Sequence, residues 1–186
     1  MAINTKDFRV KTGFIARPNG HTQNAWEVGI DIGYSSVKVF GPNADIQFPS
    51  FAEKDYSEEI GTLSPEHIKY QNLDTKERWI VGASAQNSIH QSSTSYSDGI
   101  LYQRERYDTP MFAVLIDVAL GLAITENEYG AIGDLPLKIQ TGLPSNYLRQ
   151  DRHALKEAFV GKHNFSLSVG NGQPKEFHLD ISPDDV

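Results

Sequence analysis

Asp31 and Lys38 flank the small-residue turn Gly33-Tyr34-Ser35-Ser36 within the stretch Trp26 to Phe40, which reads WEVGIDIGYSSVKVF. A carboxylate where a strand meets a tight turn can orient the waters around Mg2+, an ion that keeps several waters and takes few protein carboxylates. Gly33 permits φ > 0, so the N–H groups of Tyr34, Ser35 and Ser36 can converge on one concavity that draws phosphate oxygens. The Ser35 and Ser36 hydroxyls add donors. Lys38, on the return strand, can reach back to a β- or γ-phosphate as a point charge. These are the groups needed to hold a metal-bound polyphosphate. An ordinary surface hairpin with an exposed Asp and Lys also accounts for so short a pattern.

The elements that must position these groups follow from periodicity. Trp26, Val28, Ile30 and Ile32 alternate, as do Val37 and Val39, which predicts a β-hairpin about Gly33. Gly41-Pro42-Asn43 turns the chain into a third strand, Asp45 to Phe48, closed by Pro49. The result is a three-stranded antiparallel start. Residues 1–24 are polar and read as a loose N-terminal arm, with Phe14-Ile15-Ala16 its one stretch able to dock. Residues 50–106 read as a small inserted subdomain. It holds a possible hairpin, Ile68 to Tyr70 with Arg78 to Val81, and a polar loop or short helix from Ser84 to Ser97. A helix is predicted from Asp108 to Thr125, capped by Thr109 and started by Pro110, with Met111, Leu115, Val118 and Leu122 on one stripe. Leu135, Leu137 and Ile139 alternate into a strand that ends at Thr141-Gly142-Leu143-Pro144. A second helix runs from about Tyr147 to Phe159, with Ser145 as its cap and Gly161 beyond its end. A hairpin about Gly170-Asn171-Gly172 closes the chain. Helices covering a mixed sheet make an α/β layer architecture.

Composition narrows the function classes. The 186 residues carry 24 acidic and 17 basic side chains, a formal charge of −7. That argues against direct, sequence-independent nucleic-acid binding, which needs basic surface to displace counterions. No cysteine is present, so disulfides and thiolate metal sites are excluded. No apolar run approaches the ~20 residues of a membrane span, and a cytoplasmic location is the expectation. His21, His67, His90, His153, His163 and His178 lack metal-ligand spacing and read as solvated or locally hydrogen-bonded. Arg104, Arg106, Arg149, Arg152 and Lys156 are interleaved with Glu105, Asp108 and Asp151, which reads as a solvated face. Tyr70, Trp79, Tyr102 and Tyr107 are candidates for core packing or a subunit contact.

The run Gly29 to Lys38 resembles the first phosphate motif of the actin-like ATPases, in particular the ParM/StbA-type plasmid-segregation proteins and the archaeal actin-like proteins. Further pieces follow in the same order. Phe48-Pro49-Ser50 is similar to the segment closing the third strand there. Ile80-Val81-Gly82 with Ala83 and Ala85 resembles the "VGxxA" element of the smaller subdomain. Thr141 to Pro144 resembles the strand-end "GLP", and Gly161-Lys162-His163 the segment after the next helix. The resemblance spans about Trp26 to Ile181 and is weak from 55 to 105. It implies an RNase-H-like first domain over 25–186, with ATP and Mg2+ bound between it and a second domain. Asp31 would then be the catalytic, metal-side carboxylate, acting through water. Gly33, Tyr34, Ser35 and Ser36 would form the phosphate loop, Tyr34 through its backbone only, and Lys38 would contact phosphate.

The resemblance also implies self-association into filaments for DNA segregation or cytoskeletal roles, with a DNA-binding adaptor protein as partner. No second D-x-G hairpin and no Gly-rich adenosine element appears, so the chain matches the first domain alone. The residue that orients the attacking water is expected beyond Val186. Alone, the chain is expected to bind ATP weakly or not at all and to show no turnover. A sugar- or acetate-kinase relative, a chaperone-type ATPase and a non-catalytic assembly module are the rival readings.

Overall fold

The computed structural model describes residues 10–20, 22–56, 64–91, 106–143 and 145–186. Its strands are β1 (Gly13–Ala16), β2 (Trp26–Ile32), β3 (Ser36–Phe40), β4 (Ala44–Pro49), β5 (Ala52–Lys54), β6 (Ile68–Asn72), β7 (Arg78–Val81), β8 (Leu137–Thr141), β9 (Gly161–Val169) and β10 (Lys175–Ile181). The helices are α1 (Ala83–Gln91), α2 (Pro110–Ala123) and α3 (Leu148–Phe159).

Alternation builds the first sheet. In β2 the side chains of Trp26, Val28, Ile30 and Ile32 are buried, while Glu27 and Asp31 face solvent. In β3, Val37 and Val39 are buried and Lys38 and Phe40 are exposed. The β2-β3-β4 meander is antiparallel, as its period-two pattern requires. It grows on both sides, to the order β1-β4-β3-β2-β8, with β8 parallel to β2. Part of the expected loose arm is therefore strand. β1 pairs with β4 from Gly13↔Gln47 to Ala16↔Ala44. Beyond it, Arg17 N–H donates to the Asn43 carbonyl at 3.0 Å, and the Arg17 guanidinium pairs with Asp45. The predicted arm's first nine residues lie outside the described residues.

The second sheet is wholly antiparallel, in the order β10-β9-β6-β7-β5. The inserted hairpin forms at 68–81 and the polar segment after it is helix α1, as far as Gln91. The closing hairpin joins these inserted strands, with β9 running along β6 from Ile68↔Val169 to Asn72↔Phe165. The second layer thus draws on two distant stretches of chain, the insertion and the closing hairpin.

Between the two sheets lies α2. Thr109 caps it, accepting a hydrogen bond from the Phe112 N–H at 3.2 Å. An apolar stripe was the expectation. The structure instead buries all but Pro110 and Ala113 of the helix, as an all-round apolar helix must be buried. Gly121 marks the closest approach, since a Cβ there would lie 2.5 Å from Leu167 Cδ1 and 2.8 Å from Phe165 Cε2. The one charged side chain of this helix is buried with it. Asp117 of α2 accepts from the Tyr70 hydroxyl at 2.7 Å and meets His163 Nδ1 at 2.6 Å. For α3 the N-cap is Tyr147, with no side-chain cap bond, so Ser145 does not cap it. No helix among the described residues is long and apolar enough to cross a membrane.

Candidate functional site

The geometry of the first hairpin is set by the register of β2 and β3. Asp31 lies directly across from Lys38, and both side chains point to the sheet face away from α2. Lys38 Nζ is 3.4 Å from Asp31 Oδ2, and the two side chains are 59% and 57% exposed. An ion pair this open contributes ~0–1 kcal/mol. Exchanging it for a ligand that offers phosphate to the lysine and a hydrated cation to the carboxylate would therefore cost little.

The pair lines a hollow of about 750 Å3 on the open face of the first sheet. Gly29, Gln47, Gln140, Thr141 and Gly142 line it too. The strand-end element at 141–142 and the hairpin thus meet in one place, because β8 lies parallel to β2 with Ile30 opposite Thr141. Leu143 follows, and Pro144 of the same motif lies outside the described residues. The donor set fits an ion held through water by one carboxylate and completed by phosphate oxygens. No cluster of three or more His, Cys, Asp or Glu able to hold a metal unaided occurs among the described residues.

The turn is built differently from the expectation. Among the described residues, none between Gly33 and Ser36 has a left-handed φ. Gly33 is needed for close approach instead. Its N–H donates to the Ser36 carbonyl at 3.0 Å, and an added Cβ would stand 3.0 Å from that same oxygen. Two carbonyls at and beside the turn are also tied into the protein. Ser35 O accepts from Ser50 N–H at 3.2 Å, and Ile32 O accepts from Arg106 Nη2 at 2.8 Å. In a trans peptide the C=O and N–H point in opposite directions, so the Ser36 N–H faces away from Ser50. Ser36 itself is 5% exposed, and Ser35 is half-buried.

Two expectations change here. The Tyr34 ring, given no part in the sequence reading, lies under the Arg106 guanidinium at 4.4 Å. Arg106, read as part of a solvated face, is 7% exposed and sits against the rings of Phe112 and Tyr107 as well. Sequence reasoning missed it. The Thr109-Pro110 helix start was visible three residues on, but no local signal marks Arg106 as inward.

A family profile described as "Actin like proteins N terminal domain" matches residues 29–181. A search of curated proteins gave no match. Solved structures share the fold. A 15-stranded ParM filament from Clostridium botulinum matches with a TM-score of 0.62 at 19% identity, over 87% of this chain and 46% of that one. A crystal structure of an archaeal actin homologue matches at 0.51 and 20% identity, over 83% of this chain and 43% of that one. An AlfA filament bound to AMPPNP matches at 0.53 and 14% identity, over 84% and 52%. The chain therefore spans about half the length of these relatives. With that profile covering residues 29–181, this chain belongs to the actin-like proteins, as an N-terminal domain of that family.

Proposed function

We propose that the β2–β3 hairpin is one half of a Mg–ATP site, and that the complete two-domain protein is a nucleotide-dependent filament former. The observation that carries this reading is the shared hollow: the Asp31 carboxylate and Lys38 ammonium stand 3.4 Å apart over it, with Thr141 and Gly142 on its wall. When bound, Mg2+ would neutralise phosphate charge beside Asp31, and Lys38 would contact the phosphate chain. With Ser35 O held by Ser50, the Ser36 N–H of the same peptide is turned the other way, toward the ligand in this reading. Relatives that assemble as filaments, one of them with a nucleotide analogue bound, support the same reading. Self-association is then the partner chemistry, with a DNA-binding adaptor as a further partner and cytoplasmic ATPase-driven segregation as the role. Family membership weighs against the kinase and chaperone readings.

Phosphoryl transfer depends on groups placed on both sides of the phosphates, so this half alone should show contact without turnover. The test is an amide NMR titration of the chain with millimolar Mg–ATP. Shifts are expected at Gly33 to Lys38, and EDTA should diminish them in the parent but not in Asp31→Asn. A parent silent at those residues, or one whose response ignores magnesium, overturns the reading. ATP-dependent light scattering of the complete protein checks the filament.

A further inference from the structure

We infer that Arg106 is a positioning residue for the nucleotide hairpin, fixing the Ile32–Gly33 peptide and the Tyr34 ring that carry the phosphate loop; the inference rests on the reading of that hairpin just given. Its backbone carbonyl is held. Arg106 opens a 3-10 turn, Arg106–Asp108, whose first carbonyl accepts from both the Thr109 hydroxyl at 2.7 Å and the Thr109 N–H at 3.1 Å. Thr109 in turn caps α2, so the guanidinium is delivered from the head of the most buried helix.

Its side chain is spent on the hairpin. Nη2 donates to Ile32 O at 2.8 Å, while the same peptide's N–H, that of Gly33, donates to Ser36 O at 3.0 Å. The peptide is pinned at both ends, and flipping it would break both bonds at once. The guanidinium plane lies 4.4 Å from the Tyr34 centroid, which holds the next residue of the loop. Stability alone does not explain a cation here. Among the described residues its contacts are the Ile32 carbonyl, the Tyr107 hydroxyl and three ring faces, and Nη1 is buried with no hydrogen-bond partner. A buried charge left short of partners costs free energy that an apolar side chain of similar volume would avoid. Arg106 is the one Lys or Arg among the described residues that is buried. It also places positive potential directly beneath the turn that must receive an anion. Lysine cannot substitute, because it lacks both the planar stack and the rigid fork of donors.

The experiment compares the parent chain with Arg106→Lys by amide hydrogen exchange and by titration with Mg–ATP. The Gly33 N–H should exchange at least about tenfold faster in the variant, which corresponds to about 1.4 kcal/mol of lost local protection, while Val39 of the sheet holds. The Mg–ATP concentration for half-maximal shift at Ser35 and Ser36 should rise at least about fivefold with the thermal midpoint little changed. Unchanged Gly33 exchange overturns the inference. Faster exchange with an undiminished ATP response also overturns it, because the contact would then serve packing alone. A parent with no ATP response at the hairpin removes the nucleotide reading itself, and the inference falls with it. If Arg106→Lys does not fold, Tyr34→Leu takes away the exposed side of the stack, and an unaltered Gly33 amide in that variant overturns the inference.

Discussion

His163 places each ring nitrogen on an acceptor: Nδ1 on the Asp117 carboxylate at 2.6 Å and Nε2 on the Phe159 carbonyl at 2.9 Å. A neutral imidazole has one N–H, so either tautomer would turn a lone pair toward one of those oxygens. The doubly protonated ring satisfies both. Burial pulls its pKa down, but the Asp117 hydrogen bond and charge, with the Phe159 carbonyl, outweigh it and leave the pKa above 6.5. Tyr70, desolvated and bonded to Asp117, is pushed upward and stays a donor throughout the accessible range. A raised folded pKa contributes stability that is complete below pH 6.5 and is lost as pH climbs through the folded value. The thermal midpoint should therefore fall as pH rises above about 6.5. Asp117→Asn should flatten that dependence and destabilise the fold by about 3 kcal/mol, the cost of leaving a buried charge without its partner. A midpoint indifferent to pH over that window would show the ring to be neutral. Asp31 and Lys38 behave oppositely. Their exposure makes them dispensable for folding and available to a ligand.

Helix α2 shows how packing overrides propensity. Replacing a mid-helix glycine with alanine normally stabilises by ~1 kcal/mol. At Gly121 the new methyl meets Leu167 Cδ1, which can rotate aside, and the Phe165 ring, which cannot easily do so. Phe165 is fully buried and stacked between Tyr70 at 5.9 Å and Phe177 at 5.1 Å. Overpacking costs ~1–3 kcal/mol, so Gly121→Ala should be net destabilising in urea denaturation. A variant more stable than the parent would mean the second sheet yields to the helix.

The same elements explain what could be read from sequence. Alternation fixed the faces of β2, β3 and β4, and hence put Asp31 and Lys38 side by side. The stripe and Thr109-Pro110 located α2. Partners were less visible. β9 alternates as clearly as β3, yet nothing in its residues says that it pairs with β6, more than ninety positions earlier. A glycine shows that a positive φ is allowed, not that it is used, so the close approach at Gly33 was mistaken for a left-handed turn. Arg106 was hidden for a related reason, since the burial of an arginine is decided by Tyr34 and Phe112 from elsewhere in the chain.

At the scale of the molecule, two five-stranded sheets share one helix. Each sheet carries one of the two tryptophans, Trp26 in β2 and Trp79 in β7. Trp26 is also tied to the helix end, donating from Nε1 to the Ala123 carbonyl at 3.0 Å. If α2 makes one cooperative unit of both layers, fluorescence from Trp26→Phe and Trp79→Phe variants should report urea transitions that superimpose once each variant's stability is allowed for. An earlier transition seen through Trp79 alone would mark the second sheet as a separately melting body.

The strand order also bears on synthesis. β2 waits for its parallel neighbour until residue 141 has been made, and β6 waits for β9 until residues 161–169 emerge. The first layer carries a strand with bare amides and carbonyls along one side until residue 141 is made, and the second until β9 emerges. Such borders recruit foreign strands, so slow translation or an early stop before Gly161 should favour clumping of nascent chains over release of a folded piece.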